Sequence, residues 1–182
     1  MAYSSPSSTS TAASPSSNNT YHVFISHRGP DVKKTLASHL YHRLFSAQRL
    51  RVFLDKPELR VGDDFPSQIK EAIRTASVHV AIFSPGYAAS EWCLNELLYM
   101  LESGAPIIPV FYHVQPADLR RTQSKGGVYS KALRKMEWKK TYDSDTMEEK
   151  PRHDPATIQK WREALSTVAS ISGLDLQETC NG

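Results

Sequence analysis

The sequence predicts an α/β fold built on a central parallel sheet. Two observations carry this. Short, nearly continuous apolar runs alternate with longer stretches of helical periodicity. The runs lack the in–out alternation of a half-exposed sheet, as expected for strands buried on both faces. Their order, β-α-β-α-β-α-β-α, calls for right-handed crossovers between parallel strands.

Tyr21-His22-Val23-Phe24-Ile25 is the first strand, stopped by the polar turn Ser26-His27-Arg28-Gly29-Pro30. Arg51-Val52-Phe53-Leu54 is the second. Val78-His79-Val80-Ala81-Ile82-Phe83 is the third, closed by Ser84-Pro85-Gly86, and Ile107-Ile108-Pro109-Val110-Phe111-Tyr112 is the fourth. The first helix runs from Asp31 to about Ser46, with Leu36, Leu40 and Leu44 at i, i+4, i+8. Phe65, Ile69, Ala72, Ile73 and Ala76 form the second stripe. Leu94, Leu97, Leu98 and Leu101 fit i, i+3, i+4, i+7. Ile158, Trp161, Leu165, Val168 and Ser172 keep a similar spacing near the end. Residues 139–157 are polar, contain Pro151 and Pro155, and read as a long surface loop.

Length and charge bound the possibilities. The 182 residues suit one domain with tails: a Ser/Thr-rich leader at 1–20, a domain at 21–174 and a short tail at 175–182. The leader holds eight Ser, three Thr and two Pro and no charged side chain, so it is expected to be disordered. It has neither the Arg of a transit peptide nor the apolar core of a signal peptide. A net charge of +3 with no Lys/Arg block argues against nucleic-acid binding. No apolar run approaches the ~18 residues that span a bilayer. Two cysteines, Cys93 and Cys180, fit a reducing compartment and cannot make a thiolate zinc site. No glycine-rich phosphate loop of the dinucleotide or P-loop kind can be written.

Ligands of open parallel sheets bind beyond the carboxyl ends of the strands, where strand order reverses. With the order 2-1-3-4 that point lies between the first and third strands. The loops there supply Ser26, Arg28, Gly29, Arg60, Gly62 and Ser84, the groups a phosphorylated ligand needs. Polar loops of this kind are common in α/β proteins. The helix after the third strand is more specific. On a wheel of ~100° per residue, Trp92 and Glu96 fall one turn apart, opposite the Leu94 stripe. Helix geometry alone also fits a solvated glutamate and a tryptophan packed under a loop.

Four motifs are recognisable. Tyr21-His22-Val23-Phe24-Ile25-Ser26-His27-Arg28-Gly29-Pro30-Asp31 resembles the "YDVFLSFRGED" opening of plant TIR (Toll/interleukin-1 receptor) domains. Ser90-Glu91-Trp92-Cys93-Leu94-Asn95-Glu96-Leu97 is similar to "SxWCLxEL". Pro109 to Arg120 is similar to "PVFYxVxPSDVR", and Lys160-Trp161-Arg162-Glu163-Ala164-Leu165 to "KWREAL". The departures are His27 for Phe, Pro30 for Glu, and an arginine, Arg60, one place earlier than usual, leaving Val61 before Gly62.

The resemblance implies a flavodoxin-like three-layer sandwich with a central parallel sheet of four or five strands. It implies cleavage of NAD+ at the nicotinamide–ribose bond, giving ADP-ribose or a cyclised isomer that signals in immunity. NAD+ would be the substrate, with no cofactor and no metal. Glu96 maps onto the family's catalytic glutamate. Ser26, Arg28, Gly29, Arg60, Gly62, Ser84 and Trp92 are the expected substrate-binding set, with Trp92 shaping the cleft or stacking on a base. Ser38 and His39 match a Ser-His pair that such domains use for helix-to-helix self-association. Expected partners are therefore other copies and other TIR proteins, in the cytoplasm or nucleus, with no membrane. The alternatives are a non-enzymatic adaptor and a 2′,3′-cyclic nucleotide synthetase, the latter disfavoured by the small net charge. The length leaves no room for the ATPase module and leucine-rich repeats of many plant members, so a TIR-only protein is expected.

Other residues take plainer readings. His39 and His42 lack a third metal ligand nearby, and Cys93 has no adjacent histidine, which favours packing. Tyr99 flanks the cleft or stacks on a neighbouring loop. Trp138 and Trp161 read as core or loop anchors.

Overall fold

The computed structural model describes residues 21–54, 67–124, 126–143 and 147–176. Five strands form one sheet in the order β2-β1-β3-β4-β7, all neighbours parallel. They are β1 (Val23–His27), β2 (Val52–Phe53), β3 (Val78–Phe83), β4 (Ile107–Phe111) and β7 (Leu174–Asp175). The expected order 2-1-3-4 is correct, and the fifth strand lies against β4. That strand straddles the expected domain boundary at 174.

Period-two alternation sends the buried residues of the sheet to two cores. Phe24, Ala81, Phe83, Ile107 and Phe111 face α3 (Ser67–Thr75), α4 (Glu91–Ser103) and α7 (Pro155–Val168). Val23, Ile25, Val80, Ile82 and Val110 face the first helical segment, where Leu36, Leu40 and Leu44 are partly buried. These are the three layers. The stripes at Ile69/Ala72/Ile73/Ala76 and Ile158/Trp161/Leu165/Val168 are buried as expected, whereas Ser172 is exposed and Phe65 lies outside the described residues. Helix α4 ends where Gly104 turns left-handed, at φ +73°, which a glycine adopts without strain.

Three expectations need correcting. The first helix is not continuous: α1 (Gly29–Val32) and α2 (Ser38–His42) alternate with π-type turns at Lys33–Ala37 and Arg43–Ala47. Thr35 leaves helical geometry (φ −121°, ψ −105°). The Thr35 and Ser38 hydroxyls donate to the carbonyls of Val32 and Lys33, competing with the helical ladder. Residues 139–157 are not one loop. They hold the hairpin β5 (Lys140–Tyr142) and β6 (Glu149–Pro151), and Pro155 opens α7 with Asp154 as its N-cap. Trp138 is no anchor, being 78% exposed. Two helices were not predicted, α5 (Pro116–Arg120) and α6 (Val128–Glu137). Among the described residues no helix is long and apolar enough to cross a membrane.

Candidate active site

Ser26 shares a strand face with Phe24, so its side chain points at α4. Its hydroxyl donates to Glu96 Oε2 at 2.6 Å and lies 2.8 Å from the Tyr87 hydroxyl. Tyr87 sits in the short turn Tyr87–Ala89 after β3 and donates to the Cys93 carbonyl at 3.1 Å. All three side chains are fully buried. Burial holds the Tyr87 phenol well above the usual range, and the neighbouring Cys93 and Glu96 add to this.

The helical wheel puts Glu96 opposite the Leu94 stripe, but that face is not solvated. Cys93, Glu96 and Met100 form a second buried face at i, i+3, i+7. A wheel reports position relative to a helix's own stripe, not what packs on its other side. Here Ser26 of β1 and Tyr87 of the β3–α4 connection do so. Glu96→Ala would therefore open a buried cavity and leave Ser26 with the Tyr87 hydroxyl as its partner.

The loops leaving β1 and β3 meet at a second carboxylate. Asp31 Oδ1 accepts from Arg28 Nη1 at 2.9 Å, and Oδ2 accepts from Ser84 Oγ at 2.6 Å and from the Gly86 amide at 2.9 Å. Tyr129 of α6 donates to the Ser84 carbonyl at 2.9 Å. Arg28 lies so close over Gly86 that a Cβ there would come 2.0 Å from Nη1. Arg28 and Ser84 thus tie the two loops together, and Gly29 opens α1 beside them.

The structure brings together Ser26 and Glu96 in one cluster and Arg28 and Ser84 in the neighbouring one. Trp92 is half-buried one turn before Glu96. Arg60 and Gly62 lie outside the described residues, as does Cys180. Ser38 turns its hydroxyl onto its own helix, and His39 is exposed. Cys93 is buried with its thiol 3.5 Å from the His27 carbonyl, a packing role as expected. Lys70 of α3 lies 5.2 Å over the Tyr99 ring. Sequence reasoning missed Tyr87 and Asp31. The signals were available: Tyr87 directly follows the Ser84-Pro85-Gly86 turn, and Asp31 closes the first motif. Among the described residues no group of three His, Cys, Asp or Glu side chains could hold a metal.

A five-stranded parallel sheet in this order, with polar clusters where the loops of β1 and β3 meet, defines a flavodoxin-like α/β domain. The sequence matches the TIR domain family over residues 20–182, and the chain belongs to that family. It is 51% identical over 104 residues to the probable 2′ cyclic ADP-D-ribose synthase BdTIR of Brachypodium distachyon, covering 57% of this chain and 46% of that one. It is 34% identical over 166 residues to TMV resistance protein N of Nicotiana glutinosa, covering 89% and 13% of the two chains. Among solved structures, the TIR domains of the activated Roq1 resistosome, which directly recognizes the pathogen effector XopQ, superpose with a TM-score of 0.71. They are 36% identical, with 90% of this chain and 92% of that chain covered. The chain spans about half the length of BdTIR and about an eighth of the resistance protein.

Proposed function

We propose that this chain is an NAD+ nucleosidase of plant immune signalling, releasing nicotinamide and either ADP-ribose or a cyclic isomer. The observation that carries the reading is Glu96. It sits on α4, in the motif that resembles the family's catalytic segment, with its carboxyl held by Ser26 at 2.6 Å. Similarity to a protein named as a probable cyclic ADP-ribose synthase supports it.

The chemistry suits a single carboxylate. The scissile bond joins a cationic pyridinium to ribose, so nicotinamide leaves as a neutral molecule and no general acid is required. The ribose becomes oxocarbenium-like, and a fixed negative charge near C1′ stabilises it. Water attacking C1′ gives ADP-ribose; a hydroxyl or ring nitrogen of the same molecule gives a cyclic product. Exclusion of water favours the second outcome. No cofactor or metal enters either route.

Self-association through the first helix is part of the reading. His39 is exposed there, and a two-fold partner would present the same surface. Other TIR proteins would dock in the same way, in the cytoplasm or nucleus. A second reading, a non-enzymatic assembly module, has one observation in its favour: Glu96 is fully buried, and substrate must displace something to reach it.

Incubating the purified protein with NAD+ and following nicotinamide release by chromatography separates the two. Turnover that is lost in Glu96→Gln, rises faster than linearly with protein concentration, and falls in His39→Ala supports the nucleosidase. Wild-type turnover in Glu96→Gln sinks the assignment, and no turnover at any concentration leaves the assembly module.

A further inference from the structure

We propose that Glu91 is a positioning residue for the site: its carboxylate, gripped by the base of the β5–β6 hairpin, sets the rotation of α4 and so the placement of Trp92 and Glu96. This rests on the nucleosidase reading. Glu91 is the first residue of α4. Its Oε1 accepts from Lys139 Nζ at 2.8 Å and Arg152 Nε at 3.1 Å, and its Oε2 from Arg152 Nη2 at 3.0 Å. His153 Nε2 lies 3.2 Å from Oε1, off the hydrogen-bonding direction. Lys139 and Arg152 close the hairpin at its base, where the Arg152 amide donates to the Lys139 carbonyl at 2.8 Å. Both ends of one hairpin therefore converge on one carboxylate.

A second tie comes from the same segment. His153 packs edge-on against Trp161, with ring centroids 5.1 Å apart. Trp161, in turn, donates from Nε1 to Asn95 Oδ1 at 3.0 Å. Glu91 and Asn95 are i, i+4 and lie on one helix face; Trp92 and Glu96 are the next such pair, about 100° around. Two grips on one face, one turn apart, resist rolling of the helix about its axis. A roll is the motion that would carry Glu96 away from Ser26.

The geometry separates this clamp from ordinary surface pairing. Glu91 and Arg152 side chains are 22% and 20% exposed, and the arginine engages both carboxylate oxygens. The Lys140–Glu149 pair of the same hairpin is single-contact, with both side chains more than 60% exposed. It stabilises the hairpin without touching α4, which makes it the control.

The test measures kcat and KM for NAD+ with the full chain, well below its melting temperature. Glu91→Gln keeps the shape and removes the charge. It should lower kcat about tenfold with KM within about twofold, the signature of a displaced catalytic group. Arg152→Gln should act in the same direction, and the double variant should be no worse than Glu91→Gln alone, since both break one interaction. Lys140→Gln should leave kcat unchanged. Folded Glu91→Gln and Arg152→Gln proteins with wild-type kcat overturn the proposal, even where their melting temperatures fall. Should the wild type itself fail to cleave NAD+, the nucleosidase reading fails and hydrogen exchange decides the clamp. The amides of Trp92 to Glu96 should exchange at least about tenfold faster in Glu91→Gln. Unchanged exchange there overturns the clamp as well.

Discussion

Replacing Ser26 by alanine is the sharpest probe of the buried cluster. The substitution removes one oxygen and leaves the strand backbone as it is. Two contacts go with it: the 2.6 Å bond onto Glu96 Oε2 and the 2.8 Å contact with the Tyr87 hydroxyl. A hydrogen bond onto a charged acceptor is worth ~1.5–3 kcal/mol, and full burial leaves no water to take its place. Tyr87 keeps the Cys93 carbonyl as acceptor, so its loss is small. The expected cost is about 2–3 kcal/mol, a fall in Tm of roughly 4–12 °C for a domain of this size. Tyr87→Phe should cost less, about 1 kcal/mol, because Ser26 can still donate to Glu96. The order Ser26→Ala worse than Tyr87→Phe is the discriminating result. Adding Glu96→Gln to Ser26→Ala should recover part of the loss, since a buried amide is less costly than a carboxylate that has lost a hydrogen-bond donor. Thermal and urea denaturation at neutral pH with an unchanged m-value reads all three. A Ser26→Ala protein that melts with the wild type would refute the account of Glu96 as a carboxylate held by a strand hydroxyl.

Three further outcomes follow from the packing. His79 is buried with Nε2 2.9 Å from the Ile73 carbonyl, and desolvation lowers its pKa below 6.5. The unfolded chain then binds the proton more readily, so stability should fall as pH drops through about 6.5 and below, a slope that flattens in His79→Gln when urea unfolding is followed from neutral to mildly acidic pH. Burial opposes ionisation of Glu91, but bonds from Lys139 and Arg152 and the charge of His153 outweigh it and hold its pKa at about 2. Its contribution is present above the ordinary value of 4.5 and should be lost as pH falls from there towards about 2, an acid limb missing from Glu91→Gln. Gly86→Ala should destabilise by roughly 1–3 kcal/mol, because its Cβ would lie 2.0 Å from Arg28 Nη1 and 2.6 Å from Asp31 Oδ2. If Arg28→Ala in the same protein does not relieve part of that cost, the contact is not what opposes the alanine.

How much of this was legible in the sequence depended on the kind of force involved. β3 was read to the residue, because Val78–Phe83 is apolar and bounded by a Ser-Pro-Gly turn. β1 was displaced, since Ser26 and His27 are polar yet pair with Ala81 and Ile82 of β3. Their place in the sheet comes from a neighbouring strand, which local pattern does not encode. α6 was missed although Tyr129, Leu133 and Met136 make a stripe at i, i+4, i+7, as short as the Leu36/Leu40/Leu44 stripe that marked the first helix. The hairpin was illegible for a different reason. It has no in–out alternation and is held by ion pairs, Lys140–Glu149, Lys150–Asp143 and the Glu91 clamp, whose partners lie 7 to 61 positions apart. For the site, the identity of Glu96 came from the resemblance and its helix face from the periodicity. Its burial came from neither, since it depends on Ser26 and Tyr87 arriving from other elements.

The two clusters bear on access to the site. In a doubly wound sheet the binding crevice opens between the loops that leave the strands at the switch point. Here those loops are joined, because Asp31 of the first takes Ser84 and Gly86 of the second and also takes Arg28. Arg28 and Ser84, two of the residues expected to meet substrate, are both engaged with Asp31, and Glu96 has no exposed surface. Parting the loops breaks two bonds across the seam at about 1 kcal/mol or more apiece, so an open form of the isolated domain is a minor state, of order a few per cent or less. A ligand or neighbour that favours the open form raises activity only by its differential affinity for that form. That requirement links the closed geometry to self-association. Under the proposed docking through the first helix, a second copy would sit close to Asp31, which belongs to α1 at the start of that helical segment. If the proposed self-association acts in this way, turnover should rise faster than linearly with protein concentration, as expected of a site that is shut in the monomer.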